Sequence, residues 1–475
     1  MKVQFKRVLS CLTGLAALTL SATSSSSLFA QNAEKQGYAI VAQQSVLDDA
    51  DWSKVVDSLK EKRSAEYNVS VIVWNESVKD ELIKTEPTYA CFITKPEDAS
   101  IEQLASVWQL TRDLDDDPYG DVIWGIITGF DANDALRLTQ TQDMTVERAL
   151  GGTSIALEYF KSGVAYDEGQ KNHRVVKEEG KEIEDRQDAP DDTTRAIAED
   201  LNSAQLFITS GHASERNWSI GYSYKNGFFV AKDGMLIGAP SNDKPFKIQA
   251  TGSKIHLASG NCLLGHVDKP DCLALAMIRN ANVDTLVGYV LPTWFGYMGW
   301  GVQDYYIEQP GRFTVAEAFF ANNQALLNIL EEDNKAIKEN APEEKLLDQM
   351  TRQGMLYDRD IVVLYGDPAW KNALAIQDSG WNQTLVSEKA DDGRTIWTLT
   401  ITPLKGDKSF SLVNGNGSQR SGRPFFQFFP GRVSGAEVIE GAEYAPVVTE
   451  NFIMVSSRQN ALPTDSPIVV RIATK

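Results

Sequence analysis

The chain has 475 residues, a formal net charge of −19 and 42% hydrophobic residues. This length is enough for two or three domains with substantial cores. Because nucleic-acid binders neutralise phosphates with clustered Lys and Arg, the acidic balance argues against a nucleic-acid partner.

Residues 1–30 have the pattern of a secretory leader. Basic residues precede an apolar stretch over residues 8–20, and Ala30 offers a small residue for signal peptidase. The apolar stretch is shorter than the roughly 20 residues that a bilayer span needs. We therefore expect an exported protein, periplasmic or extracellular, with no transmembrane segment.

From Tyr38 onward, short apolar runs alternate with amphipathic stretches. Such alternation indicates βαβ units, in which helices cover a mainly parallel sheet. We therefore expect an α/β region with one subdomain over residues 31–150 and a second over 151–372. The predicted strands are Tyr38–Ala42, Val69–Trp74, Tyr89–Ile93, Val122–Ile127, Gln205–Thr209, Lys254–Ala258, Leu286–Val290 and Ile361–Tyr365. The predicted helices are Trp52–Ala65, Ile101–Arg112, Asp131–Leu138, Thr193–Asn202, Cys272–Ala281 and Thr314–Leu330.

Two segments interrupt this alternation. Residues 164–194 are dense in Lys, Glu and Asp, which predicts a long solvated loop, with a lid or a processing site as alternatives. Between residues 218 and 240, Asn226-Gly227 and Asp233-Gly234 predict the turns of a β-ribbon just after His212.

The character of the chain changes again at about residue 373. Short apolar runs are now separated by Gly, Pro, Asn and Asp, which is typical of a small antiparallel sandwich. We therefore expect an all-β domain over residues 373–475. Its predicted strands are Thr395–Thr402, Ser409–Val413, Phe425–Phe428, Ala436–Ile439, Asn451–Ser456 and Ile468–Ile472.

Two short motifs carry most of the functional information. His212 follows the predicted strand that ends at Thr209, and Cys262 follows the one that ends at Ala258. Strand ends can project such residues from a rigid scaffold into one cleft, and a thiol nucleophile needs a nearby base. The histidine lies about 50 residues before the cysteine, which is the order and spacing of caspases. The pattern predicts a cysteine hydrolase.

The cysteine count leaves alternatives for Cys262. Three cysteines follow the leader, Cys91, Cys262 and Cys272, so at least one is a free thiol or forms an intermolecular bond. Cys262 could also be a buried apolar residue or pair with Cys272. A zinc site with His266 and Cys272 is disfavoured because paired ligand spacing and a fourth ligand are missing.

The other histidines fit the role of base less well. We expect His173, in the polar stretch, to be exposed to solvent. His256 lies in the middle of a predicted strand, where a satisfied core residue is expected.

The ordered set of motifs resembles the gingipain-like C25 cysteine peptidases. Ser210-Gly-His212, Asn261-Cys262-Leu-Leu-Gly265 and a last strand ending in Gly366-Asp367-Pro368 come in the order found in that family. The resemblance covers residues 130–475 in outline. It implies a caspase-like α/β region in two subdomains, an immunoglobulin-like β-sandwich after it, and an exported cysteine endopeptidase.

The resemblance also implies roles for the site residues. Cys262 would attack a carbonyl carbon, with His212 as acid and base. The N–H groups of Cys262 and Ala213 would form the oxyanion hole, although the family usually has glycine at the position of Ala213. Asp131, with Asp134 behind it, is the candidate to orient His212. Its alternative role is to cap the helix that follows.

Substrate and metal contacts are less specified. The resemblance implies that Trp294 lines the pocket for the residue preceding the cut bond, and Asp143 is a candidate acidic contributor. No cofactor or metal ligand is expected. The resemblance leaves room for a structural calcium, but the acidic run of residues 113–117 lacks a spaced calcium loop and predicts a solvated helix end.

The prediction is therefore a cysteine endopeptidase that acts on proteins or peptides. One alternative is a catalytically inactive caspase-like scaffold that binds peptides or a surface partner. The other is a cysteine hydrolase of non-peptide amides or esters. The oligomeric state is left open.

Overall fold

The computed structural model of the chain describes residues 35–377, 379–410, 423–456 and 462–475. The predicted leader over residues 1–30 lies outside these residues, as does most of the predicted strand Ser409–Val413. Within the described ranges, none of the helices combines the length and apolarity needed to cross a membrane.

The first half of the chain alternates strands and helices up to residue 139 and then adds short strands. In chain order its elements are β1 (Gly37–Ala42), α1 (Gln44–Leu47), α2 (Trp52–Ser64), β2 (Asn68–Val73), α3 (Val78–Thr85), β3 (Pro87–Ile93), α4 (Ile101–Arg112), β4 (Ile123–Ile127), α5 (Ala132–Thr139), β5 (Met144–Val146), β6 (Arg148–Gly151), β7 (Ser162–Tyr166), β8 (Arg174–Lys177), β9 (Glu184–Arg186), α6 (Thr194–Asp200), β10 (Leu206–Thr209), β11 (Asn217–Ser219), β12 (Phe228–Lys232), β13 (Met235–Ala239) and β14 (Phe246–Lys247).

The second half completes the α/β region and ends in strands alone. Its elements are β15 (Lys254–Ala258), α7 (Leu273–Asn280), β16 (Val283–Tyr289), α8 (Tyr297–Tyr306), α9 (Val315–Lys338), α10 (Gln349–Asp358), β17 (Val362–Tyr365), β18 (Asn372–Leu374), β19 (Trp381–Lys389), β20 (Thr395–Pro403), β21 (Phe425–Phe428), β22 (Glu437–Glu440), β23 (Val447–Val448), β24 (Phe452–Val455) and β25 (Ile468–Thr474).

One large sheet organises the α/β region. It has 12 strands in the order β2-β1-β3-β4-β17-β16-β15-β10-β6-β7-β8-β9. Its central strands are buried throughout, as in β15 and β16, because helices cover both faces of a mainly parallel sheet. The mixed α/β class expected from the sequence is confirmed at this level.

Strand direction reverses between two central strands of this sheet. β16 pairs with β17 antiparallel, whereas β17 runs parallel to β4 and β16 runs parallel to β15. The strands on the two sides of this junction therefore end at opposite edges of the sheet. Loops that follow β1, β3 and β4 cannot meet loops that follow β10, β15 and β16.

The polar stretch over residues 164–194 is not a long loop, which corrects the sequence prediction. β7, β8 and β9 extend the large sheet through antiparallel pairing. Charged side chains on this edge pair with one another, as Arg174 does with Asp188 and as His173 does with Asp167 and Asp185. The prediction of an exposed His173 is also wrong, because only 13% of its side chain is accessible.

The ribbon expected after His212 is present as the antiparallel sheet β11-β12-β13-β14. Asp233 and Gly234 form its β12–β13 turn with φ values of 53° and 69°, as the Asp-Gly pair predicts. Asn226-Gly227 does not form a second turn. Instead, the buried Asn226 side chain accepts the N–H of Thr193 and donates to its hydroxyl.

The last strands form two antiparallel sheets, β19-β20-β25-β22 and β21-β24-β23. Residues from both sheets share a hydrophobic cluster that includes Ile401, Ile453 and Ile472. Phe426 and Phe452, in contrast, belong to the same cluster as the large sheet. The C-terminal strands thus pack against the α/β region through aromatic side chains, and the predicted domain boundaries stay predictions.

The Gly366-Asp367 string at the end of β17 has a packing role. Arg63 donates two hydrogen bonds to Asp367 Oδ2, at 2.6 and 2.8 Å, and the Tyr38 hydroxyl donates to Oδ1 at 2.8 Å. Gly366 has a φ of 131°, and a Cβ there would lie 2.6 Å from the Asp284 carbonyl oxygen. The hydrogen bonds of Asp367 therefore hold the end of β17 against β1 and α2.

Candidate active site

Four loops meet at one edge of the large sheet because they follow parallel strands. β7, β6, β10, β15 and β16 pair in parallel one after another, so their carboxyl ends lie side by side. The loops after β7, β10, β15 and β16 carry Glu168, His212, Cys262 and Trp294. In open α/β sheets, ligands bind outside the carboxyl ends of the strands.

The loops that carry His212 and Cys262 are joined directly. Thr209, at the end of β10, is the register partner of Ala258, at the end of β15. The fully buried Asn261 side chain donates from Nδ2 to the Gly211 carbonyl oxygen at 3.1 Å. The residue before the cysteine thus holds the residue before the histidine.

A chain of hydrogen bonds sets the orientation of Asn261. The Thr209 hydroxyl donates to Asn261 Oδ1 at 2.5 Å, and its oxygen lies 2.9 Å from His256 Nε2. Because a hydroxyl has a single proton, His256 must donate from Nε2 and is the neutral Nε2–H tautomer. The His256 ring is fully buried and stacks on Phe207, which confirms the expected core position.

Cys262 is half-buried and free, and its sulfur faces a backbone donor. The N–H of Thr293 donates to Cys262 Sγ at 3.2 Å. An amide donor of this kind stabilises negative charge on the sulfur. The next residue, Leu263, has a φ of 59°, a left-handed conformation that costs a branched side chain on the order of 1 kcal/mol. Strained backbone of this type concentrates at functional sites.

The two other cysteines are fully buried and unsuited to nucleophilic chemistry. Burial raises the pKa of the Cys272 thiol to about 12 and the pKa of Cys91 well above its ordinary value. Neither is joined to Cys262, so the alternative disulfide with Cys272 is not formed. Cys262 is therefore the accessible thiol among the described cysteines.

His212 is exposed at the end of its loop and leans on an aromatic ring. Its imidazole stacks on Tyr222 with the ring centroids 4.8 Å apart. Tyr222 is itself 59% exposed and lies in the loop between β11 and β12 of the β-ribbon. The ring pair orients the imidazole at the surface, where a substrate can reach it.

Ala213 keeps its backbone N–H available. Ala213 and Trp218 form an isolated antiparallel bridge, outside the left-handed region. The hydrogen bonds of this bridge run from Ser219 N–H to His212 O and from Ser214 N–H to Asn217 O. Ala213 is thus at a non-hydrogen-bonded position, and the bridge does not use its N–H. Alanine satisfies the backbone geometry at this position.

Trp294 follows Thr293, the residue whose backbone contacts the Cys262 sulfur. Its side chain is 53% exposed and packs edge-on against Tyr357, with ring centroids 5.9 Å apart. Tyr357 in turn donates from its hydroxyl to the Pro292 carbonyl oxygen at 2.9 Å. The adjacent Thr293 is the residue whose N–H contacts the sulfur.

Sequence reasoning missed Glu168, which is the carboxylate that the fold brings to the His212 loop. A Cβ at Gly211 would lie 3.4 Å from Glu168 Oε2, and the Glu168 carbonyl oxygen accepts the N–H of Tyr222. Thr153 donates to Oε1, whereas Oε2 is buried without a partner. Burial raises the pKa of Glu168. No local sequence signal distinguishes this residue from its acidic neighbours.

No family model, curated protein or solved structure matches the chain. The likeness to gingipain-like peptidases therefore remains a resemblance of motifs.

Asp131 is not near His212, which corrects the expectation that it orients the imidazole. Because strand direction reverses at the β16–β17 junction, the end of β4 lies at the edge opposite to the ends of β10 and β15. Asp131 caps α5 by accepting the N–H groups of Asn133 and Asp134, and it forms an ion pair with Arg279 at 3.4 Å. Its alternative role as a helix cap is confirmed.

Asp143 also lies away from Cys262 and His212. It is exposed and acts electrostatically on Lys62 of α2, whose ammonium group donates to the Thr141 carbonyl oxygen. The N–H of the neighbouring Met144 donates to the carbonyl oxygen of Lys371, which lies just after β17. Asp143 therefore belongs to the opposite edge together with Asp131.

The zinc alternative is not supported by the described part of the chain. Across those residues, the group of metal-ligating side chains that converge is Asp115, Asp121 and Glu450, and it includes neither Cys262 nor Cys272. His266 instead places Nδ1 3.0 Å from the Val290 carbonyl oxygen.

Proposed function

We propose that the chain is an exported cysteine endopeptidase with a caspase-like catalytic region, in which Cys262 and His212 act together. The observation that carries the proposal is the bond from Asn261 Nδ2 to the Gly211 carbonyl oxygen at 3.1 Å. It holds together the two loops that carry a half-buried free thiol and an exposed imidazole at neighbouring strand ends. Nucleophile and base within one small region are the requirement of thiol hydrolysis.

The chemistry follows from these positions. Cys262 Sγ, as a thiolate, attacks the carbonyl carbon, and a C–S bond forms while the C–N bond breaks. His212 gives its proton to the leaving amine and then takes a proton from the water that hydrolyses the thioester. The products are a carboxylic acid, an amine and the regenerated thiol.

Charge on the oxygen of the tetrahedral intermediate needs donors at the same edge. The Ala213 N–H is left available by its bridge to Trp218, and the Cys262 N–H is the second candidate donor. Loss of one such donor typically costs about 3–4 kcal/mol of transition-state stabilisation. These two groups support hydrolysis of amides as well as esters.

Glu168 supports a preference for a basic residue before the cut bond. Its buried Oε2 lacks a partner beside the Gly211–His212 loop, so an incoming guanidinium or ammonium group would supply the missing hydrogen bond. Trp294, which follows the residue that contacts the Cys262 sulfur, is the proposed wall of the substrate groove.

The test is cleavage of a denatured protein mixture by the chain from residue 31, with the new termini sequenced. Cys262→Ala and His212→Ala should each abolish cleavage, whereas Cys272→Ala, which removes a thiol outside the site, should retain it. Thermal melting of each variant separates loss of chemistry from loss of folding.

Two outcomes would contradict the proposal. Cleavage that persists in Cys262→Ala would assign the activity elsewhere. A folded wild-type chain that cleaves no peptide would favour the binding scaffold or, if it hydrolyses small esters in a Cys262-dependent way, the non-peptide hydrolase.

A further inference from the structure

The loop between β16 and α8 supplies the amide that faces the Cys262 sulfur. It covers residues 290–296, and we call it the β16–α8 loop. The N–H of Thr293 donates to Cys262 Sγ at 3.2 Å. An amide donor in this position favours the thiolate over the thiol. The reactivity of Cys262 therefore depends on where this loop is held.

The start of the β16–α8 loop is bound to the segment that follows the cysteine. The N–H of Leu263 donates to the Leu291 carbonyl oxygen at 3.3 Å, and His266 Nδ1 lies 3.0 Å from the Val290 carbonyl oxygen. Both contacts lie before Thr293 in the chain. The second half of the loop therefore needs a support of its own.

One face of α10 provides this support. Gly354, Tyr357 and Asp358 are three and four positions apart, so they lie on the same side of the helix. The Tyr357 hydroxyl donates to the Pro292 carbonyl oxygen at 2.9 Å. A Cβ at Gly354 would collide with the Phe295 ring, which packs directly on the helix backbone. The helix thus contacts the loop at two points that are three residues apart.

Asp358 makes the third contact of this helix face, and its carboxylate is fully buried. Asp358 Oδ2 accepts the N–H of Met298 at 2.5 Å and the hydroxyl of Tyr289 at 3.1 Å. The Tyr289 oxygen in turn accepts the N–H of Gly299 at 2.9 Å. Two N–H groups in the first turn of α8, which have no partner within their own helix, are therefore satisfied from α10.

The N-cap residue of α8 cannot supply this cap itself. It is Gly296, which has a φ of 88° and no side chain to accept an N–H. Burial raises the pKa of Asp358 to about 6, so its carboxylate is largely ionised at pH 7. A negative charge at the N-terminus of a helix is stabilised by the helix dipole. Asp358 therefore fixes the point at which the β16–α8 loop becomes a helix.

We propose that Asp358 is a positioning residue, which holds the β16–α8 loop so that the Thr293 N–H faces Cys262 Sγ. This role rests on the proposed function, in which Cys262 is the nucleophile. The carboxylate acts through the backbone, because it anchors Met298, five residues after Thr293. Tyr357 anchors the loop on the other side of Thr293.

The test is the rate at which iodoacetamide alkylates Cys262 between pH 6.5 and 9.5, followed by peptide mass spectrometry. Because the thiolate is the reactive form, the profile measures how well the site stabilises it. Asp358→Asn keeps the shape of the side chain and removes its charge. We expect this variant to react about threefold to tenfold more slowly at pH 7, because a weaker cap loosens the Thr293 donor.

The direction of the change separates positioning from an effect of charge through space. Burial raises the pKa of Tyr357, and the charges of Asp358 and Cys262 add to this shift, so this end of α10 is within electrostatic reach of the sulfur. Removal of a negative charge would by itself favour the thiolate and speed the reaction. An unchanged or faster rate in a folded Asp358→Asn protein would therefore overturn the proposal.

A matched control removes a different cap of the same helix. Asp348 accepts the N–H of Thr351 at 3.0 Å at the start of α10. Asp348→Ala should leave the alkylation profile unchanged, and an equal slowing in this variant would reduce the effect to general loss of helix stability. Thermal melting checks that each variant is folded.

Tyr289→Phe decides the question if Asp358→Asn does not fold. It removes the hydroxyl through which Asp358 reaches the Gly299 N–H, so alkylation should again become slower, and a wild-type rate would overturn the proposal. Alkylation does not require peptide cleavage. A chain that cleaves no peptide, but whose thiol reacts more slowly in Asp358→Asn, would keep the positioning role and lose the proposed peptidase activity.

Discussion

Asn261 Nδ2 donates to the Gly211 carbonyl oxygen, and this single bond spans the strand boundary between the two residues of the proposed dyad. The amide is oriented from behind by Thr209, which is in turn bonded to His256. A buried network thus positions two side chains that are themselves at the surface. The relationship makes Asn261 a positioning residue.

Asn261→Ala should lower both stability and turnover. The substitution leaves the proton of the Thr209 hydroxyl without its acceptor and the Gly211 carbonyl oxygen without its donor, which costs about 1–3 kcal/mol of unfolding free energy. We expect kcat to fall more than KM rises, because the His212 loop loses its support while Trp294 still contacts substrate. Asn202→Ala, at an exposed helix end, is the matched control. Unchanged kcat in a folded Asn261→Ala protein would contradict the positioning role.

Thiol labelling should distinguish Cys262 from the other cysteines. Under native conditions iodoacetamide should modify Cys262 alone, because Cys91 and Cys272 are fully buried and burial raises the pKa of Cys272 to about 12. In denaturant all three should react, as measured by peptide mass spectrometry. Rapid native labelling of Cys272 would contradict its complete burial.

Glu168→Gln should change which bonds are cut. The amide keeps the shape of the side chain but removes its negative charge, so cleavage after Lys and Arg should fall by about tenfold or more relative to cleavage after neutral residues. Glu199→Gln, at an exposed position of α6, should leave the profile unchanged. The readout is the distribution of sequenced termini, and an unaltered distribution would remove Glu168 from the substrate pocket.

His256 should make the fold sensitive to acid. Burial lowers the pKa of His256 to about 3, whereas an unfolded histidine titrates near 6.5. Between these values the unfolded chain binds a proton that the native chain does not, so stability declines as the pH falls, by up to about 1.4 kcal/mol per pH unit. Above pH 6.5 this contribution is constant.

Denaturant unfolding of the wild type and of His256→Gln from pH 4 to 8 checks this sign. The difference in unfolding free energy should shift in favour of the variant as the pH falls below 6.5. The other titratable groups are the same in both proteins, so their contributions cancel in the difference in unfolding free energy. A difference that stays constant across the range would mean that His256 is not held neutral.

Local patterns in the sequence predicted most of the α/β elements. Continuous apolar runs became β10 and β15 nearly residue for residue, because strands buried on both faces leave a strong signal. The edge hairpin of β8 and β9 left none, since its charged side chains form ion pairs in the folded chain and resemble a solvated loop in the sequence.

The candidate site could be predicted only where a residue directly follows a predicted strand. The positions of His212, Cys262 and Trp294 after three strands of the sheet were expected in this way, and their roles stay predictions. Asp131 was misplaced because strand direction depends on long-range pairing, which no local pattern encodes. Glu168 was missed because it approaches Gly211 only in the folded sheet. The two residues are about 40 positions apart in the chain, and no local pattern shows that their loops meet.

The change of strand direction between β16 and β17 also places two different sets of residues at opposite rims of one sheet. The residues of the proposed dyad occupy one rim of the sheet, whereas the rim formed by the ends of β1, β3 and β4 carries helix caps and structural ion pairs. Insertions or grafted peptides on that second rim would therefore leave the reactive thiol undisturbed. The second rim thus offers an attachment face for tags and immobilisation, at the edge of the sheet opposite to Cys262 and His212.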